Sequence, residues 1–187
     1  ISSAEKGTYV MPDQYLRGGF RYLTVFLVTD DLASVHIDNL SLELAFKPTW
    51  ANLRAYQGYF HCSDELLNRI WYSGAYTLQT NEVPVNTGRV TKGITSGWVN
   101  NGTLGLGDTI IVDGAKRDRA VWPGDMGIAI TSAFVSLGDL ESVKNALQIM
   151  YNTQVSSTVL FPFGYRSDQA GNYRTEQLAH LMSQDHR

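Results

Sequence analysis

Two hydrophobic periods divide the chain. Between Gly18 and Trp50 the pattern suits strands. Gly18-Gly19 marks a turn, and Phe20–Val28 is rich in β-branched and aromatic residues, as strands are. That run is apolar on both faces, which suits a central strand. Thr29-Asp30-Asp31 is turn chemistry. Leu40, Leu42, Leu44 and Phe46 then alternate with Ser41, Glu43 and Ala45, the pattern of a strand with one buried face. Pro48 ends it. The expectation over residues 1–52 is antiparallel β, the C-terminal part of a β-sandwich.

From Ser63 the spacing becomes helical. Ser63 can cap, and Asp64 and Glu65 sit where a first turn favours negative charge. Leu67, Ile70, Trp71, Gly74 and Leu78 fall on one stripe, and Pro84 closes the segment. Residues 85–112 are rich in Gly, Thr and Asn and read as a long irregular stretch ended by a short strand, Thr109–Val112. A second helix is expected from Gly124 to Leu137, on Met126, Ile130, Ala133, Phe134 and Leu137. Gly138 is its stop and Asp139 the next N-cap. A third helix follows, with Leu140, Val143, Leu147, Met150 and Tyr151 on one face. Residues 165–187 are polar, carry a weak helical signal near Glu176–Met182, and are expected to be poorly anchored. The predicted class is α+β. Too few helices are present to close an all-α core, so exposed faces on Leu67–Leu78 and Val143–Tyr151 predict association or a larger helical domain.

Composition narrows the field. The chain has 187 residues, 43% hydrophobic, with 15 basic and 18 acidic residues and a net charge of −3. That gives a real core and no electrostatic footprint for nucleic acid. No stretch has the ~20 apolar residues of a membrane span. The start, Ile1–Lys6, lacks a signal-peptide pattern and an initiator Met, so the chain reads as a piece of something longer. Cys62 is the single cysteine, which excludes an internal disulfide and a Cys-based zinc site and reads as a buried small side chain. Asn39-Leu40-Ser41 and Asn101-Gly102-Thr103 are sequons and favour an extracellular setting. His36, His61, His180 and His186 show no metal-ligand spacing. Gly102, Gly105 and Gly107 precede a strand and read as turn glycines, not a dinucleotide loop. No cofactor and no metal are expected.

The richest segment is Asp113–Asp125, DGAKRDRAVWPGD, with three carboxylates, three cations and a Trp between a strand end and a helix start. One carboxyl, kept protonated by burial or neighbouring negative charge, can donate a proton to a leaving oxygen. A second can fix substrate hydroxyls, and an exposed indole offers a flat face to a sugar ring. The alternative is a salt-bridged loop, with Lys116, Arg117 and Arg119 neutralising the aspartates, Asp125 capping the next helix and Trp122 anchoring packing.

This segment resembles the signature of the inverting α-L-rhamnosidases, glycoside hydrolases with an (α/α)6 toroid: Asp, a short spacer, Arg, an acidic residue, then Trp-x-Gly-Asp. Gly58–Trp71, GYFHCSDELLNRIW, resembles that family's entry into the first barrel helix, and Phe20-Arg21-Tyr22 a strand of the preceding sandwich. The resemblance covers residues 18–163. It implies a partial β-sandwich over 1–52 and the first part of an incomplete toroid over 53–187. It also implies a rhamnosyl glycoside as substrate. Asp118 takes the slot of the general acid, Asp113 and Asp125 those of carboxylates that bind hydroxyls, and Arg117 and Trp122 places beside them. The family's acid is usually Glu, one methylene longer than Asp118. Its base is a Glu in later helices, and neither Glu141 nor Glu176 matches that context. Inversion needs such a base across about 6.5–9.5 Å. The other reading of the resemblance is therefore a truncated, non-catalytic relative that at most binds carbohydrate.

Overall fold

A computed structural model describes residues 7–29, 32–90, 94 and 97–153. The expected tail, Phe161–Gly164 and the helical signal at Glu176–Met182 lie outside the described residues. After a short 3-10 turn at Asp13–Tyr15, the order is α1 (Glu65–Thr80), β1 (Glu82–Pro84), β2 (Gly88–Val90), β3 (Val99–Gly102), β4 (Thr109–Ile111), α2 (Pro123–Ser136) and α3 (Glu141–Asn152). The class is α+β: three helices and two small antiparallel sheets, β1–β4 and β2–β3.

The core forms where α3 covers the β1–β4 ribbon, with Met126 of α2 joining it. Val83 pairs with Ile110 and Glu82 with Ile111. Val83, Leu104, Ile110, Ile111, Val112, Val121, Met126, Val143, Ala146 and Met150 form one buried cluster. Each fully buried aliphatic side chain contributes about 1.5–3 kcal/mol. The stretch expected to be irregular is therefore structured. Its residues are short and Gly-broken, so no strand exceeds four residues and periodicity has nothing to register. Leu104 N–H donates to Val85 O and Val112 N–H to Asn81 O, extending the pairing beyond the strands.

Residues 18–29 and 32–46 differ from expectation. No strand is formed there, and Phe20, Tyr22, Val25, Phe26, Leu40, Leu42 and Leu44 are 52–84% exposed. Alternation is necessary for a strand but not sufficient. The backbone groups of a strand need a partner edge, and among the described residues no strand lies beside these.

The helices appear where expected, with altered faces. In α1 the cap is Asp64, not Ser63: its carboxylate accepts Leu66 N–H at 2.8 Å. The buried residues of α1 are Asn68, Ala75 and Gln79, while Leu67 and Ile70 stay 49% and 58% exposed. Polar chemistry explains the rotation. Asn68 brackets the Cys62 backbone, accepting from its N–H and donating to its C=O, both at 2.9 Å. Gln79 accepts from Tyr56 O–H and donates to Leu53 O. Docking of residues 53–62 thus selects the polar face. Cys62 is only half-buried there.

Helices α2 and α3 are joined at Gly138, where a stop was expected. Gly138 sits at φ +72° and donates to Ala133 O, the left-handed stop that glycine supplies without strain. Asp139 Oδ1 accepts Glu141 N–H at 2.9 Å. Phe134, on the expected apolar stripe of α2, is 62% exposed; on the α3 face expected to be left open, Leu147 and Tyr151 are 38% and 58% exposed while Val143 and Met150 are buried.

Candidate functional site

The loop from β4 to α2 is built as a closed hairpin. Asp113 N–H donates to Ala120 O, and Ala120 N–H donates back to Asp113 Oδ1, both at 3.0 Å. Between these ends the backbone makes a tight turn. Arg119 N–H donates to Arg117 O at 2.6 Å, with Asp118 at the centre of the three-residue turn. Asp118 and Arg119 have φ of +53° and +48°. Two consecutive non-glycine residues in the left-handed region store of order 1–3 kcal/mol each.

Burial of Arg119 holds this turn. The side chain is 4% exposed. Its Nε donates to Thr87 O at 2.5 Å, Nη2 to Thr87 Oγ1 at 2.8 Å and Nη1 to Ala115 O at 2.6 Å. All three acceptors are neutral, and burial alone pulls the guanidinium down to about 10. Thr87 is itself fixed, since its N–H and hydroxyl both donate to Pro84 O. The β1–β2 turn thus serves as the anvil for the loop.

The carboxylates respond to this arrangement. Burial pushes the Asp113 carboxyl up to about 6, Asp118 and Asp125 adding their negative charge against the Ala120 N–H. Asp118 is half-buried and lies 3.5 Å from the largely exposed Arg117, a pair worth little in water. Asp125 is exposed in the first turn of α2. It does not cap the helix: Trp122 holds the cap position, and its side chain makes no capping bond. Trp122 is half-buried, and its carbonyl accepts Met126 N–H at 3.0 Å. The structure therefore brings Asp118 and Asp125 within electrostatic reach of Asp113. It does not neutralise them through three cations. Among the described residues only Arg117 reaches one of them.

A second polar centre lies apart from this loop. Lys47 is 1% exposed at φ +50°. Its ammonium pairs with buried Glu82, and with Asp139 Oδ2 at 2.8 Å. Trp50 Nε1 donates to the same Asp139 oxygen at 3.0 Å, and the ammonium lies 4.6 Å from the Trp50 ring centroid. Burial pushes the Glu82 carboxyl up, while the bonds from Lys47, Glu141 N–H and Trp50 hold Asp139 down against partial desolvation. An open groove of about 660 Å3 runs beside Trp50 and Asp139, walled by Asn52, Gln57, Glu141 and Lys144.

Sequence reasoning passed over both buried cations. Arg119 looked like one of three equivalent loop charges. The signal for Lys47 and Glu82 was faint: each is a lone charge beside apolar or Pro residues, Phe46-Lys47-Pro48 and Glu82-Val83-Pro84. No group of three His, Cys, Asp or Glu able to hold a metal occurs among the described residues. No helix among them is long and apolar enough to cross a membrane. No protein-family model matches the chain, and no curated protein matches it.

Proposed function

We infer that this chain carries the acid-bearing part of a glycoside hydrolase site of the inverting α-L-rhamnosidase type, acting on terminal rhamnosyl residues. The observation that carries the reading is the strained turn at Asp118, facing a carboxyl group raised to about 6 at Asp113. Strain and perturbed ionisation concentrate where a protein arranges groups for chemistry. In this reading Asp118 protonates the glycosidic oxygen as the bond to the sugar breaks. Asp113, Arg117 and Asp125 hold sugar hydroxyls, and Trp122 borders the ring. The base that activates water across the ring comes from elsewhere in the toroid.

One observation favours a variation on these roles. Asp113 is the carboxyl that stays protonated toward neutral pH, so it is the better reservoir for the donated proton. Its Oδ1 is committed to Ala120 N–H, which leaves Oδ2 to carry that proton. Hydrolysis of an aryl α-L-rhamnoside, measured for a full-length version that supplies the base and for its Asp118→Asn and Asp113→Asn variants, separates the roles. Loss of the donor lowers turnover by about 10²–10⁴-fold. Full turnover in Asp118→Asn with loss in Asp113→Asn transfers the acid role to Asp113. Rhamnose binding without turnover supports the non-catalytic relative. Neither binding nor turnover ends the reading.

A further inference from the structure

We propose that Arg119 is the positioning residue of the acidic loop, the clamp that keeps Asp118 turned onto Asp113. The inference rests on the functional reading above and adds a residue that the motif alone leaves equivalent to its neighbours. Three features of the geometry carry it.

First, the guanidinium is spent on three neutral oxygens and none of the three aspartates. A buried arginine that neutralised the loop would reach a carboxylate. This one instead leaves Asp118 and Asp125 to act on Asp113. Second, the three bonds span two elements. Thr87 belongs to the β1–β2 turn and Ala115 to the loop itself, so the side chain ties the hairpin both to its own start and to the sheet. The backbone repeats the link, since Arg89 N–H donates to Arg119 O at 3.4 Å. Third, the clamp adjoins the strain. Arg119 N–H closes the turn centred on Asp118, and both residues hold positive φ. A strained conformation persists only where its surroundings over-determine it, and the Arg119 fork supplies that constraint.

Lysine cannot substitute. Its single ammonium lacks the planar fork that addresses Thr87 O, Thr87 Oγ1 and Ala115 O together. The consequence follows for Asp113, whose surroundings include Asp118 and Asp125. With the clamp lost, the turn relaxes, Asp118 swings toward solvent and water reaches Asp113.

Carboxyl-carbon NMR titration of the 187-residue chain tests this. The wild-type Asp113 midpoint is expected near 6. In Arg119→Lys it is expected to fall by more than one unit toward 4, in a chain whose amide spectrum stays dispersed. Thr87→Ser keeps the acceptors and should leave the midpoint in place. Thr87→Ala removes the hydroxyl together with the γ-methyl and leaves the backbone acceptor, and should give a smaller fall, which keeps the test open if Arg119→Lys does not fold. A purely structural arginine lowers the melting temperature and leaves the Asp113 midpoint of the folded chain unmoved. That result in both Arg119→Lys and Thr87→Ala overturns the proposal, as does an ordinary wild-type midpoint near 4. Turnover judges the glycosidase reading and titration judges the clamp, so the two can fail separately.

Discussion

Lys47 and Arg119 are both buried cations on left-handed backbone, and their surroundings differ in one respect. Lys47 meets two carboxylates, Glu82 and Asp139, and the indole of Trp50 supports the second. Charge is cancelled where it is buried, and the bonds join the chain at residue 47, strand β1 and the α2–α3 turn. Arg119 meets carbonyls and a hydroxyl. Its charge is solvated by the protein while three aspartates nearby are left without a buried cation. The first arrangement is a lock in which the buried cation meets its own anions. The second leaves a partly buried Asp113 under the charge of Asp118 and Asp125, which is useful only if something is done with it. A buried cation alone therefore says little about function. Its partners decide.

The largest expected effect comes from opening the lock. Lys47→Met strands Glu82, which is fully buried, and should destabilise the fold by about 3–5 kcal/mol in urea titration. Adding Glu82→Leu removes the stranded charge and should restore most of that loss. Arg119→Met leaves neutral acceptors unbonded and should cost less, about 1–3 kcal/mol. An Arg119→Met loss larger than that of Lys47→Met would break the comparison, because the neutral partners would then matter more than the ionic ones.

A smaller effect separates the two centres by pH. The folded Asp113 carboxyl titrates at about 6, above its unfolded value of 3.8. Between those values the folded state binds the extra proton, so this group's contribution to stability is complete below pH 3.8 and is lost as pH rises through 6. Asp139 runs the other way. Its folded value is depressed, so its contribution is present above the unfolded value and is lost as pH falls through the folded one. Asp113→Asn should remove a decline of on the order of 1 kcal/mol between pH 4 and 6, after allowance for solvent screening. Thermal melts of wild type and variant across that range measure it. Identical slopes would mean that Asp113 does not sense its neighbours.

Local chemistry was legible in the sequence where it acts locally. The helices, the Gly138 stop and the strand before Asp113 follow from spacing and caps. The acidic loop was legible as a cluster, though not which cation is buried. What escaped was long-range. Gln79 and Asn68 turn α1 toward residues 53–62 because those backbone groups need partners, and no periodicity records that need. Lys47 pairs with Glu82 across 35 positions. The alternation at Leu40–Phe46 was read correctly as a pattern and yet forms no strand, since pairing depends on a partner edge that the pattern cannot name. Expectation fails at the contacts that cross between elements.

The smallest effect bears most directly on what the strain is for. Asp118 occupies φ +53°, where a Cβ is disfavoured, so Asp118→Gly should stabilise the folded chain by about 0.5–1 kcal/mol even though glycine loses more entropy on folding. In a chain of this size that raises the melting temperature by about 1–4 °C. The substitution also deletes a charge beside Asp113, so Asp118→Asn, which removes the charge and keeps the Cβ, is the reference. The Gly-minus-Asn difference reports the backbone alone. At the Lys47 lock the same exchange should fail: Lys47→Gly relieves the backbone but forfeits both ion pairs and must destabilise. Opposite signs at two positions of similar φ would show that the strain at Lys47 is offset by its partners, whereas that at Asp118 is held in place from outside by Arg119. A loss of stability in Asp118→Gly relative to Asp118→Asn would mean the turn is relaxed, and the loop would then need no clamp.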